Sequence, residues 1–499
     1  AGNDTLYGGT GNDVLHGGAD NDYLQGEGGN DTLVGGAGND TLAGGAGDDV
    51  FVFNLGDGQD AITADDIEGT DTLSFGAGIA LADLRLEKSG NYDLTVQVGA
   101  NGDQVTLSNW FYPGREGRRV DRFAFADGTV LSRQELLEQK AVNGTAGAED
   151  LSGNDEIKDI LAGGGGNDRL FGAGGDDHLF GEAGDDSLYG EGGNDTLVGG
   201  TGNDVLYGGA GDDVFQFNLG DGQDVIAADD AAGNNIISFG AGIALSDLSL
   251  HKSGNYDLVM KVGAGGDQLT LSSWWYYAAS QRVDGIRFAD GTALSWQELL
   301  EQKAVNGTAG AEDLSGNDEI KDILAGGGGN DRLFGAGGDD HLLGEAGNDN
   351  LYGGNDNDLL EGGAGNDTLQ GEGGNDTLAG GAGNDTLAGG AGDDIFFFAD
   401  TLEAETNIDR ITDFTSGQDK LHLSKSIFAA LPESEALSDS LFAANATGSA
   451  LDDKDYILYN TTTGALLYDA DGNGQGVAVQ FATLTNKPEV KASDFVVVG

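Results

Sequence analysis

The sequence predicts an all-β chain of stacked nine-residue units, and three observations carry that expectation. The first is a period. From Gly362 the chain reads Gly-Gly-Ala-Gly-Asn-Asp-Thr-Leu-Gln, then Gly-Glu-Gly-Gly-Asn-Asp-Thr-Leu-Ala, then Gly-Gly-Ala-Gly-Asn-Asp-Thr-Leu-Ala, then Gly-Gly-Ala-Gly-Asp-Asp-Ile-Phe-Phe. The second is phase. Asp331, Asp340, Asp349, Asp358, Asp367, Asp376, Asp385 and Asp394 each stand two residues before a large apolar residue, from Leu333 to Phe396. The third is composition, 91 Gly against 3 Pro.

A nine-residue unit is too short for a helical pair and too regular for a loop. Three residues around each Leu suit a short strand with the Leu facing inward, and six residues of Gly, Asn and Asp suit a turn. One unit cannot bury its Leu alone, so units must stack. Stacking lines up the Asp residues, which repel one another unless a cation lies between them. Carboxylate and carbonyl oxygens on a Gly-rich loop suit a large, hard ion, and calcium fits best.

Two further blocks share the pattern. The first carries Asp4, Asp13, Asp22, Asp31, Asp40 and Asp49, with Leu6, Leu15, Leu24, Leu33, Leu42 and Phe51 as apolar partners. The second carries Asp168, Asp177, Asp186, Asp195, Asp204 and Asp213, with Leu170 through Phe215 in the same register. These twenty Asp residues are the candidate metal ligands, roughly one calcium for each interior repeat. Asp20 and Asp356 replace the usual fourth-position Gly. Asp tolerates the left-handed region, so these turns are expected to survive.

Between the blocks lies a duplicated unit. Phe53-Asn-Leu-Gly-Asp-Gly-Gln-Asp60 returns as Phe217 to Asp224, and Ser89-Gly-Asn-Tyr-Asp-Leu94 returns as Ser253 to Leu258. The organisation read from this is a repeat block at 1–51, a β-rich spacer at 52–140, and a degenerate lead-in plus second block at 141–215. A second spacer follows at 216–303, a lead-in plus third block at 304–396, and a distinct C-terminal segment at 397–499. Each spacer alternates apolar and polar residues in strand fashion, as in Asp93-Leu-Thr-Val-Gln-Val98 and Gln104-Val-Thr-Leu-Ser108. A short helix is expected over Arg133 to Lys140, where Ser132 and Glu135 form a capping box repeated by Ser295 and Glu298. In the last segment strands are expected over Asn407–Phe414, Lys420–Leu423, Tyr456–Tyr459 and Ala465–Tyr468, with an apolar end at Asp494-Phe-Val-Val-Val-Gly499.

Charge narrows the function. Lys plus Arg number 23 against 86 Asp plus Glu, a formal net charge of -63. That argues against nucleic acid and anionic membrane surfaces as partners and opposes compaction of a metal-free chain. There are no cysteines, so metal is the available staple. No stretch is long and apolar enough for a helix to span a bilayer. The chain opens in the back half of a repeat without an initiator Met, and reads as part of a longer protein.

Other motifs are weaker. Asp469-Ala-Asp-Gly-Asn-Gly474 matches the start of an EF-hand loop, but its twelfth position is Gln480, so a hairpin turn is expected. His16, His178, His251, His341 and His422 form no His-Glu-x-x-His, and His178 and His341 are expected at the surface. No Gly-x-Ser-x-Gly elbow or P-loop is present, so no enzyme activity is assigned to this chain. The aromatic runs Trp110-Phe-Tyr112 and Trp274-Trp-Tyr-Tyr277 are read as caps on the roll ends, with sugar stacking as the alternative. Arg115, Arg118, Arg119 and Arg122 are read as local salt-bridging groups; the second copy keeps Arg282 and Arg287.

The three blocks resemble the repeats-in-toxin family, whose consensus is Gly-Gly-x-Gly-x-Asp-x-(large apolar)-x. The resemblance implies right-handed parallel β-rolls with two repeats per turn and calcium between turns, held by the Asp carboxylates and loop carbonyls. The spacers resemble the calcium-binding-related domains found between such repeats. Asp409-Arg-Ile-Thr-Asp-Phe414, Gly464-Ala-Leu-Leu-Tyr-Asp469 and the terminal Asp494-Phe-Val-Val resemble the C-terminal domain of serralysin-type proteases and other type I secretion substrates. The expected fold is therefore three calcium-loaded rolls separated by two duplicated β-rich spacers and closed by a β-rich cap. The expected role is the calcium-folded region of a large secreted or cell-surface protein, exported through type I machinery and acting as stalk or assembly module. A cell-surface polysaccharide and self-association are the further partners considered. The alternatives are the tail of a secreted protease, lipase or epimerase, or a carbohydrate-binding adhesin.

Overall fold

The computed structural model describes residues 1–499 except 64–68, 91, 113–119, 156, 228–232, 255, 275–282, 319, 404, 473 and 475. The chain divides into two units, Ala1–Asp247 with Val262–Ala293, and Leu248–Lys261 with Leu294–Gly499.

In the first unit, successive repeats alternate between two parallel sheets. Thr5–Thr10 pairs with Tyr23–Gly28 and that with Thr41–Ala46, aligning Leu6, Leu24 and Leu42. Val14–Ala19, Thr32–Ala37 and Val50–Phe53 form the opposite sheet, aligning Leu15, Leu33 and Phe51. Partners lie eighteen residues apart, so two repeats make one turn. The aligned Leu side chains fill the space between the sheets; Leu24 and Leu33 are fully buried. Each such burial contributes roughly 2 kcal/mol. The strands are longer than the three residues expected around each Leu. Pairing skips the first Gly of each unit and resumes at the next two residues, as at Gly9↔Glu27 and Thr10↔Gly28. The glycines thus bend the strand and leave a turn of only three residues.

Spacer strands add to the same stacks. Gln59–Thr63 continues the first sheet in parallel, with Leu42 opposite Ile62, and Thr72–Phe75 continues the second, with Phe51 opposite Leu73. Leu84–Ser89, Asp93–Val98 and Asp103–Leu107 form an antiparallel meander, whose last strand lies parallel on Gln59–Thr63. The helix is Arg133–Leu137, shorter than expected, with the Ser132–Glu135 capping box in place. The lead-in to the second block is itself roll: Val142 lies opposite Leu161, and Leu151 opposite Leu170.

The second unit repeats this plan. The helix Trp296–Leu300 is capped by Ser295 and Glu298. The third block stacks from Arg332–Gly337 to Ile395–Phe398, with Leu333, Leu351, Leu369 and Leu387 aligned on one sheet. The C-terminal segment closes both sheets. Asp409–Ile411 continues one and Lys420–Ser424 the other, which Phe495–Val498 then joins. The strand expected over Asn407–Phe414 is confined to Asp409–Ile411. Phe398, Phe428, Phe481 and Tyr468 pack edge to face with ring centroids 5.0–5.2 Å apart, forming an aromatic core for the cap.

Candidate metal centres

Each repeat Asp sits where the three-residue turn enters the next strand, so the residues of one sheet edge form a column. Its two carboxylate oxygens are used differently. Oδ1 accepts the backbone N–H of the Asp one turn earlier. Asp358 N–H donates to Asp376 Oδ1 at 2.8 Å, and Asp376 N–H to Asp394 Oδ1 at 3.0 Å. The same bond links Asp4 to Asp22, Asp13 to Asp31 and Asp168 to Asp186, at 2.7–2.8 Å. Oδ2 is buried without a hydrogen-bond partner at Asp22, Asp31, Asp40, Asp168, Asp177, Asp186, Asp195, Asp204, Asp331, Asp340, Asp349, Asp358, Asp367 and Asp376. Of the twenty candidates, Asp4 is exposed and Asp13 half-buried, and the other eighteen are buried.

The first Gly of each repeat completes a cradle of oxygens. A Cβ added at Gly362 would stand 2.6 Å from Asp367 Oδ2 and 2.5 Å from the carbonyl oxygen of Gly380. Glycine there lets a main-chain carbonyl from the next turn approach the free carboxylate oxygen. An orphaned carboxylate oxygen beside main-chain carbonyls is a hard, oxygen-only donor set, which fits calcium. Among the described residues no three His, Cys, Asp or Glu side chains converge to grip a metal. Coordination therefore has to mix carboxylates with main-chain oxygens.

Electrostatics agree. Burial, and then neighbouring carboxylates, push Asp340, Asp358 and Asp367 up to about 7. Burial, with the charge of Asp394, pushes Asp376 up to about 6. In the second block, burial raises Asp177 to about 7 and Asp195 and Asp204 to about 6. Such columns hold charge only where a cation offsets it.

The columns run further than the nonapeptides. Asp40 N–H donates to Asp60 Oδ1 at 3.0 Å, and Asp49 N–H to Asp71 Oδ1 at 3.0 Å. Asp385 and Asp394 are followed in the same way by Asp409 and Asp419. Upstream, Asp159 and Glu149 precede Asp177 and Asp168, and Asp322 and Glu312 precede Asp340 and Asp331. Sequence reasoning missed these residues because the glycines around them are incomplete and six of the eight depart from the 18-residue spacing, at 19–25, while Asp159 and Asp322 keep it. The signal was present, since each acidic residue still stands two before an apolar one, as in Asp60-Ala-Ile62 and Asp159-Ile-Leu161.

Other candidates fall as follows. Asp20 and Asp356 adopt φ of 78° and 72°, so their turns survive the loss of Gly. His178 and His341 are half-buried rather than free at the surface. His178 lies 3.1 Å from Lys158 Nζ, and burial together with that lysine lowers its pKa; His341 lies 3.4 Å from Glu361. Trp110 and Trp274 are buried, at 2% and 3% exposure, as caps require. Trp275, Tyr276, Tyr277, Arg115, Arg118, Arg119 and Arg282 lie outside the described residues. Arg122 and Arg287 form no ion pair among the described residues; Arg287 instead donates to Ser238 Oγ at 3.3 Å. Of the EF-hand-like stretch, Asn473 lies outside the described residues; Asp469 to Gly472 leads into the loop of the hairpin joining Ala465–Tyr468 to Val479–Leu484, where Asp471 Oδ2 accepts Gly476 N–H at 3.0 Å.

Two family models agree with this geometry. The family model described as RTX calcium-binding nonapeptide repeat (4 copies) matches at 1–33, 25–60, 155–188, 189–226, 306–342, 315–351, 334–369, 352–387 and 370–400. The haemolysin-type calcium binding protein related domain matches at 93–135 and 257–298. No curated protein sequence matches the chain. Among solved structures, extracellular lipase LipA from Serratia marcescens aligns at 20% identity with a TM-score of 0.20, over 56% of this chain. The aligned part spans 39% of the lipase.

Proposed function

Because the chain is a calcium-binding protein of the RTX nonapeptide-repeat family, carrying two haemolysin-type calcium-binding-protein-related domains, we propose that calcium drives its folding after export. In this reading it is the extracellular, structural region of a larger type I-secreted or surface-attached protein, serving as stalk or assembly module rather than as a catalyst. One observation supports it above others: the columns in which residues such as Asp22, Asp186, Asp358 and Asp376 each bury a carboxylate oxygen with no hydrogen-bond partner among the described residues.

The residues divide the work. Asp Oδ2 atoms and the carbonyls beside the first Gly of each repeat would hold the ions, while the Oδ1 atoms tie each turn to its neighbour. Bound calcium supplies positive charge between the turns. Without it, a chain of net charge -63 repels itself and must also order many glycines, so it stays open. An open chain suits passage through a narrow exporter, and the C-terminal strands resemble an export signal. Outside the cell, one site at a hundredfold excess over its dissociation constant contributes about 2.7 kcal/mol. A handful of sites then exceeds the about 5–15 kcal/mol margin of an ordinary domain.

Circular dichroism of the purified chain during a calcium titration tests the switch. A cooperative gain of β signal, reversed by chelator, is expected. A chain equally folded in excess chelator would overturn it.

A further inference from the structure

One column of the first roll ends where the carboxylates outnumber those of the repeat. Asp60 takes the place of the next nonapeptide Asp, accepting Asp40 N–H at 3.0 Å. Beyond it, strand pairing sets Val105 opposite Asp60, so no further turn offers a carboxylate there. Asp60 is 2% exposed, and its Oδ2 has no hydrogen-bond partner. Two acidic residues from outside the repeats stand beside it. Asp57 Oδ2 accepts both Asn54 N–H at 2.7 Å and Asn54 Nδ2 at 3.1 Å, and Asp103 Oδ2 accepts Gly56 N–H at 2.8 Å. The charged groups acting on Asp60 are Asp40, Asp57 and Asp103, and none is basic.

The second spacer builds the same junction. Asp204 N–H donates to Asp224 Oδ1 at 3.0 Å, and Leu269 stands opposite Asp224. Asp221 accepts from Asn218 at 2.7 and 3.2 Å, and Asp267 from Gly220 at 2.8 Å. The other edge is a contrast. There Asp71 of the first copy is replaced by Asn235 in the second, and each accepts the N–H of the preceding repeat Asp. That edge keeps the hydrogen bond without the charge; this junction keeps all three charges in both copies.

We propose that each junction is a separate calcium-type cation site, in which Asp57 and Asp103 join the free oxygen of Asp60, and Asp221 and Asp267 join Asp224 in the second copy, in place of the missing next turn. Main-chain oxygens share the coordination, since the side chains do not converge by themselves. The site fastens the Asn54–Gly58 loop and the Asp103–Leu107 strand to the end of the roll, so that the spacer docks through an ion.

The proposal rests on the calcium loading argued above, and native mass spectrometry of the full chain in saturating calcium chloride tests it. The Asp57→Asn/Asp103→Asn variant should carry one calcium fewer than the parent, and addition of Asp221→Asn/Asp267→Asn should remove a second. An Asn side-chain oxygen can still accept from Asn54 and Gly56, so the β signal should stay at the parent level. If the first pair fails to reach that level, the Asp221→Asn/Asp267→Asn pair alone decides. An unchanged calcium count in a folded variant overturns the junction site alone. A parent chain that takes up no calcium overturns the loading first, and this site with it.

Discussion

Asp376 does two jobs with its two oxygens: one receives the Asp358 N–H, and the other is left buried and free. Removing both by Asp376→Ala leaves a buried N–H unpaired, which costs about 1–3 kcal/mol, and deletes a ligand from an interior position. The exposed Asp4 makes no comparable demand, and Asp4→Ala should stay within about 0.5 kcal/mol. Calcium midpoints from circular dichroism separate the two, and equal shifts would count against the column. Gly362 has a complementary constraint. A methyl group there would collide with Asp367 Oδ2 and the Gly380 carbonyl. Gly362→Ala should therefore destabilise by about 1–3 kcal/mol and weaken calcium binding. Thermal melts in saturating calcium measure it, and a melting point at or above the parent's would show that the cradle is not tight.

A single repeat is a strand with one inward Leu and neighbours only above and below. Leu378 is fully buried between Leu360 and Phe396 of the adjacent turns. Leu378→Ala should cost about 2–5 kcal/mol, because the sheets on either side cannot close the cavity. Its effect should stay near turns that contain Leu360 and Phe396, since stability in stacked repeats passes between nearest neighbours. Hydrogen exchange resolves this. Loss of protection confined to the turns flanking 378 is expected, whereas uniform loss along the block would mean that the roll melts as one unit.

Across each unit the carboxylate columns make stability depend on pH in opposite directions with and without calcium. Asp340, Asp358 and Asp367 are held at about 7 by burial and like charge, against an ordinary value of 3.8. Between these values the folded, metal-free chain binds more protons than the unfolded one. The slope of stability against pH is therefore negative: stabilisation is full below about 4 and lost as pH rises through about 7. In chelator, acidification from pH 8 to pH 5 should raise the melting temperature or the β signal. In calcium the order reverses, because protons and the ion compete for the same oxygens and affinity falls as pH drops below about 7. Melting temperatures across that range in both buffers check this, and a metal-free chain that loses structure on acidification would contradict it.

Much of this architecture was legible in the linear chain, because nine-residue spacing and Asp–Leu phase are local properties. They placed each Leu inside and each repeat Asp at a turn, and the oxygen chemistry of Gly-rich loops named the ion. The ends of the columns were not legible. Asp60 and Asp409 join through backbone N–H bonds to residues 20 and 24 positions away, across turns whose length departs from the period, and Asp159 keeps the 18-residue spacing behind an incomplete glycine pattern. Asp57 and Asp103 lie 46 positions apart with no nonapeptide between them, and the Gly56 N–H bond to Asp103 Oδ2 brings their segments together. The six-residue strands follow the same rule. Whether Gly9 and Thr10 pair depends on what lies one turn away, and only stacking supplies that neighbour. Short-range pattern reports which face a residue takes. Which carboxylates share an edge depends on the register between turns, and that register exists only once the sheets have closed around the Leu core.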